Sequence, residues 1–319
     1  MSDRRCLILQ PVHEAGLQRL RDQGVTPVVC PSPDMETVAR HIPGCVAAIT
    51  RDAGFDARAF AAADRLRVVA VHGAGHDPVD KDAAARAGVL IATTPGTNAQ
   101  SVAELALGLA LAVARRIPQA DQAMRGGRSG FRESVRFTEL AGGTAVIVGW
   151  GATGRALGTM LHQAFGMDIL AHTPRVPSES WVTHAPDLHA ALALADLVSL
   201  NAPLRPETRH LIDAAALAAF KPGAILVNVA RAGLVDETAL ANALRSGQLA
   251  GAGLDVASAA AGQGGLLGCD TVVFTPHLGG TTEAALRRTA TAAADNVIAA
   301  LSGTVPDTAI NPEVWSVPR

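Results

Sequence analysis

Short apolar runs recur along the chain at residues 6–9, 46–50, 68–72, 89–92, 145–149, 168–172, 196–200, 224–229 and 272–275, separated by Ala- and Leu-rich stretches of helical spacing. Strands covered on both faces read as continuous apolar runs, and Val146-Ile147-Val148 and Ile225-Leu226-Val227 do so. Such runs alternating with helical segments mark βα units, so the pattern predicts an α/β fold built on parallel sheets. A long helical pattern opens at Asn98, just past Thr94-Pro95-Gly96, and another runs on from Thr282 through Leu301. A second domain formed in the middle of the chain would return that last helix to the first. The expected boundaries are 1–97 with 286–319 for a discontinuous first domain, and 98–285 for the inserted one.

Composition narrows the class. The chain has 319 residues, about two ordinary domains, of which 49% are hydrophobic and 18% charged. The formal net charge of -2 gives no ground to expect a nucleic-acid or membrane-surface partner. Cys6, Cys30, Cys45 and Cys269 form no CxxC pair, so reduced thiols are expected and neither a zinc ribbon nor a disulfide framework is implied. Residues 1–5 lead straight into an apolar run without a signal-peptide pattern, and the most apolar stretch, 102–117, carries Glu104 and ends in Arg115 and Arg116. A cytoplasmic protein with a buried helix there is the expectation. His72 and His76 bracket a glycine turn, so no metal site is expected.

The first chemistry lies at Gly149-Trp150-Gly151-Ala152-Thr153-Gly154, a GxGxxG sequence that follows an apolar strand and opens a helical run at 155–165. In that setting Gly149 makes the tight turn and Gly151 leaves room for a pyrophosphate. Gly154 lets helix approach strand, and the free N–H groups around Ala152 and Thr153 meet the phosphates. The following strand ends at Thr173, with Arg175 beyond it. NAD sites usually place a carboxylate here to accept from the ribose 2′-hydroxyl. A hydroxyl with a nearby guanidinium instead attracts a 2′-phosphate, so NADP is favoured over NAD.

Further motifs stand in order along the chain: Gly73-Ala74-Gly75 with Asp77-Pro78-Val79-Asp80, the segment from Thr94 to Glu104, Asn201 to Thr208, Asn228 to Glu237, Gly253-Leu254-Asp255-Val256, and Thr275 to Gly280. With the Gly149 loop they make the chain resemble, nearly end to end, the D-isomer-specific 2-hydroxyacid dehydrogenase family, which includes glyoxylate/hydroxypyruvate reductases and phosphoglycerate dehydrogenases. The resemblance implies a doubly wound Rossmann cofactor domain beside a smaller flavodoxin-like substrate domain. It also implies hydride transfer between NAD(P)H and a small 2-oxo or D-2-hydroxy acid, and a homodimer formed through the cofactor domain.

Reduction of a 2-oxo acid requires that its carboxylate be held, its carbonyl polarised and its forming alkoxide protonated. A guanidinium serves the first two tasks, and Arg231 stands at the position of the family's catalytic Arg. His277 stands at its acid/base position, where an imidazole carries a proton near neutral pH. The resemblance further assigns backbone N–H groups around Ala74 and Gly75 to the substrate carboxylate and Asp255 to the nicotinamide carboxamide. It adds Pro203, Thr208, Ala230 and Gly279 to the cofactor contacts, and places Asn98 and Ser101 at the start of a helix beside the site. Pro78 departs from the family's Asn.

One departure bears on activity. The family pairs its His with a Glu at the position of Ala260, and no carboxylate lies between Val256 and Cys269. That partner orients the imidazole and favours its protonated form, so slower reduction with an acid-shifted optimum is expected. Gln263 would orient without supplying charge. Two alternatives stay open: a cofactor-binding sensor or scaffold with a degraded site, and oxidation of a phosphite- or formate-type donor, which no residue selects.

Overall fold

A computed structural model describes residues 4–258, 261–262 and 265–315. Ala260 and Gln263 lie outside the described residues. The chain divides into two compact units, Met1–Asn98 with Gly280–Arg319, and Ala99–Gly279. The second break thus falls at Gly279–Gly280, ahead of the expected residue 286.

In the first unit β1 (Arg5–Ile8), β2 (Thr26–Val29), β3 (Cys45–Thr50), β4 (Val68–Val71) and β5 (Leu90–Ala92) form a parallel sheet ordered β2-β1-β3-β4-β5. This is the flavodoxin-like order. Alternate strand residues face opposite layers, as the two-residue period of a strand requires. Ile8, Ile49, Ala70 and Leu90 pack on helices Glu14–Asp22 and Glu283–Leu301 through Leu20, Ala293, Ala294 and Val297. Leu7, Ala48, Val69 and Ile91 pack on the other face against Val38, Ala59 and Ala84.

The second unit holds β6 (Thr144–Val148), β7 (Asp168–His172), β8 (Val182–His184), β9 (Leu197–Leu200), β10 (Ala224–Asn228), β11 (Leu249–Leu254) and β12 (Val272–Phe274). Their order is β12-β11-β10-β9-β6-β7-β8, all parallel. Numbered within the unit this is the Rossmann order 3-2-1-4-5-6 with one strand added, and the direction of winding reverses at β6. Helices Ala99–Ala114 and Ala152–Phe165 cover one face, and Leu188–Leu192, Ala214–Ala219 and Glu237–Arg245 the other.

Six helices start behind an Asp whose carboxylate accepts from a first-turn backbone N–H: Asp34, Asp56, Asp80, Asp187, Asp213 and Asp236. Helix Ala152–Phe165 starts instead behind Gly151, with no side-chain cap. Its first-turn N–H groups are left without a side-chain acceptor, the arrangement of a helix start that can receive an anion.

Candidate active site

The candidate side chains of the second unit sit at the C-terminal ends of neighbouring strands. In open parallel sheets ligands bind at that edge, beside the point where the strand order reverses. Gly149 ends β6 at that point. Its N–H donates to His172 O at 2.9 Å, while Asn201 N on the β9 side donates to Val148 O at 2.7 Å. Gly149 has φ 95°, and a Cβ there would stand 2.7 Å from Ala202 N, so only glycine fits the turn. A Cβ on Gly154 would stand 2.1 Å from Gly149 O, whereas one on Gly151 would meet nothing within 4 Å. The loop therefore closes tightly behind Gly154 and leaves open space over Gly151 and the exposed Ala152. Asn201 Oδ1 is buried with no hydrogen-bond partner, an acceptor left for a ligand donor. These residues fit a dinucleotide.

Thr173 follows β7, half-buried, its carbonyl hydrogen-bonded to His184 Nε2 at 2.9 Å. Arg175 is exposed on the loop beyond. After β9, Thr208 Oγ1 donates to Pro203 O at 2.8 Å and accepts from Arg205 N at 2.8 Å, which ties the ends of the Pro203–Thr208 loop together.

Arg231 follows β10. Asn228, 1% exposed, locks the turn that carries it: Oδ1 accepts from Ala230 N at 3.0 Å and Nδ2 donates to Arg231 O at 2.9 Å. Arg231 is half-buried, and its Nη1 donates to Ala230 O at 2.8 Å. Asp255 follows β11, and its N–H donates to Asn228 O at 2.9 Å, joining the Arg231 turn to the next strand.

Asp255 also builds the loop of His277. Its carboxylate accepts from Thr275 Oγ1 at 2.6 Å, Leu278 N at 2.7 Å and Gly279 N at 2.9 Å. Its carbonyl accepts from His277 N at 3.0 Å. The side chain is 1% exposed, so these bonds form away from water and hold the loop firmly. Gly279 is buried beside it, where a Cβ would stand 3.1 Å from Asp255 Oδ2. His277 itself is exposed and takes φ 57°. The residues expected to react are thus carried on the ends of β10 and β12, with Asp255 of β11 bonded to both turns. Asn228, and the loop-building part played by Asp255, had no signal beyond lying inside the quoted motifs.

Ala74 and Gly75 belong to the first unit, just past β4. There Gly73 donates to Thr94 Oγ1 at 2.7 Å and its carbonyl accepts from Thr94 N at 2.9 Å. Ala74 is exposed and Gly75 half-buried. Among the described residues no cluster of three or more His, Cys, Asp or Glu is placed to hold a metal, and no helix is long and apolar enough to cross a membrane.

Residues 107–279 match the model of the D-isomer specific 2-hydroxyacid dehydrogenase NAD binding domain. Over 284 residues, 88% of this chain, the sequence is 41% identical to D-3-phosphoglycerate dehydrogenase of Mycobacterium leprae (strain TN), of which the match covers 53%. The chain thus spans about half the length of that curated relative. A Thermus thermophilus protein of known crystal structure aligns over 96% of this chain and 99% of its own, with TM-score 0.87 and 34% identity. The NADPH-dependent glyoxylate/hydroxypyruvate reductase of Sinorhizobium meliloti, solved with NADP and malonate, aligns over 100% and 99%, with TM-score 0.86 and 29% identity.

Proposed function

The chain belongs to the D-isomer specific 2-hydroxyacid dehydrogenase family, and on that premise we propose that it transfers hydride between NAD(P)H and a small 2-oxo acid of the glyoxylate or hydroxypyruvate type. The observation that carries this reading is the edge shared by Arg231, Asp255 and His277 at the ends of β10, β11 and β12. The Gly149–Gly154 loop and the first turn of helix Ala152–Phe165 would hold the pyrophosphate. When bound, the nicotinamide supplies hydride to the substrate carbonyl carbon. Arg231 binds the substrate carboxylate and draws electron density toward the keto oxygen, which lowers the barrier because charge grows there. His277 delivers a proton to that oxygen as the carbon–oxygen double bond becomes single, leaving a neutral hydroxyl. Asp255 keeps the His277 turn in place throughout.

NADP is the favoured cofactor, because β7 ends in Thr173 with Arg175 beyond it and no carboxylate stands at the strand tip. The S. meliloti reductase, named NADPH-dependent, supports the same preference. A homodimer through the cofactor domain, cytoplasmic in location, completes the proposal.

The experiment is NADPH oxidation with glyoxylate and hydroxypyruvate, together with D-3-phosphoglycerate oxidation, on wild type, Arg231→Lys and His277→Asn. Turnover of a 2-oxo acid is expected, with each substitution lowering kcat/KM by about 100-fold or more. Ala260, standing where the family carries Glu, favours the second reading, a cofactor-binding sensor or scaffold. NADPH binding without turnover of any of these acids from pH 5 to 8 would establish that reading instead.

A further inference from the structure

The loop after β7 is tied down at two places. At its start, His184 Nε2 bonds Thr173 O at 2.9 Å. Further along, Glu179 is held by the glycine turn and its helix: Trp150 Nε1 donates to Glu179 Oε2 at 3.1 Å, and Arg155 Nε lies 3.5 Å from Glu179 Oε1. Trp181 continues the attachment, edge-on to Trp150 with ring centroids 6.0 Å apart and stacked on His162 at 4.7 Å. Trp150 is 7% exposed, and its ring fills a space that exists only because residue 158 is glycine, where a Cβ would stand 2.5 Å from it. Pro174, Arg175 and Val176 form the exposed apex between the attachments.

Trp150 occupies the first variable position of the GxGxxG turn. The indole adds a donor, and the donor is spent on a carboxylate four residues past Arg175. We propose that Trp150 and Arg155 clamp Glu179 so that its charge stays off the loop apex, making Trp150 a positioning residue for the choice between NADP and NAD. The proposal rests on the reading above that Thr173 and Arg175 meet the adenosine ribose. A carboxylate released into that apex would repel a 2′-phosphate and accept from a 2′-hydroxyl, reversing the preference Arg175 provides. The indole hydrogen bond also holds the Glu179 carboxyl below its ordinary range, with Arg155 acting in the same direction, so the clamped group is ionised.

The test is calorimetric binding of NADPH and of NADH to the whole chain without substrate, in wild type, Trp150→Phe and the double variant Trp150→Phe/Glu179→Gln. Phenylalanine keeps an aromatic ring at residue 150 but removes the donor together with the outer indole carbons that meet Gly158, a packing loss that the double variant shares. The ratio of NADH to NADPH dissociation constants is expected to fall about threefold in Trp150→Phe and to recover in the double variant, where no charge is released. A ratio unchanged in Trp150→Phe, or both cofactors weakened by one factor with no recovery, overturns the clamp. Equal affinities in wild type would discard the NADP preference, and the shift in ratio would still decide the clamp.

Discussion

His277 occupies the left-handed backbone region at φ 57°, which a side chain with a Cβ visits at a cost of about 1–2 kcal/mol. The turn tolerates that cost because four hydrogen bonds to Asp255 determine it, one from His277 N and three from its neighbours. The motif resemblance singled out Arg231 and His277 as candidates in the sequence, and the structure carries each on a loop just past a strand. The contact of Trp150 with Glu179 was not legible, because a long sequence separation brings no local periodicity with it. His72 shows a third case. Burial, and secondarily the nearby Arg51, push its pKa down to about 4 from the ordinary 6.5, so the folded protein holds it neutral at pH 7. The unfolded chain binds that proton at a higher pH, so the stability tied to the neutral ring is whole above pH 6.5 and is lost as pH falls toward 4. In wild type the first unit is expected to lose about 2 kcal/mol more over that interval than in His72→Asn. Urea midpoints measured at several pH values for both proteins check this, and parallel pH profiles would count against it.

Strands buried on both faces announced themselves as apolar runs, and the sequence-based expectation placed β7 at its observed residues. Three strands were not anticipated, each for a physical reason. β2 reads Thr-Pro-Val-Val, an edge strand with two exposed positions, where a proline costs no ladder bond. β8 is a three-residue edge strand. β11 reads Leu-Ala-Gly-Ala-Gly-Leu, whose glycines look like loop until helix Ala99–Ala114 is seen against them. A Cβ on Gly253 would stand 2.7 Å from Leu109 Cβ, and one on Gly251 would stand 2.6 Å from Val113 Cγ1. The same logic joins helices Glu14–Asp22 and Glu283–Leu301, where a Cβ on Gly16 would stand 2.5 Å from Ala290 O. Backbone cannot yield as a side chain does, so Gly16→Leu is expected to cost about 1–3 kcal/mol. The exposed Gln18→Ala on the same helix is expected to stay within about 0.5 kcal/mol. Equal urea midpoints for the two variants would contradict this account of the helix pair.

At the scale of the whole molecule, the second unit leaves apolar side chains in water along residues 117–137. Met124 is 84% exposed, Ile117 52% and Phe137 42%. Large exposed apolar side chains gathered on one segment are the kind of surface that the homodimer proposed above would cover. Met124→Glu is expected to move the sedimenting species from dimer to monomer, and a wild type that sediments as a monomer would refute the assignment. The discontinuous first unit has a consequence for how the protein is made. Residues 1–98 leave the ribosome long before residues 283–301, whose Ala293, Ala294 and Val297 cover one face of their sheet. The nascent N-terminal segment is therefore expected to wait, one apolar face covered only in part by helix Glu14–Asp22, while the middle of the chain emerges. Completion of the first unit is thus expected to come last although its strands are made first, and a translation product cut short before that helix is expected to engage chaperones rather than form a smaller working protein.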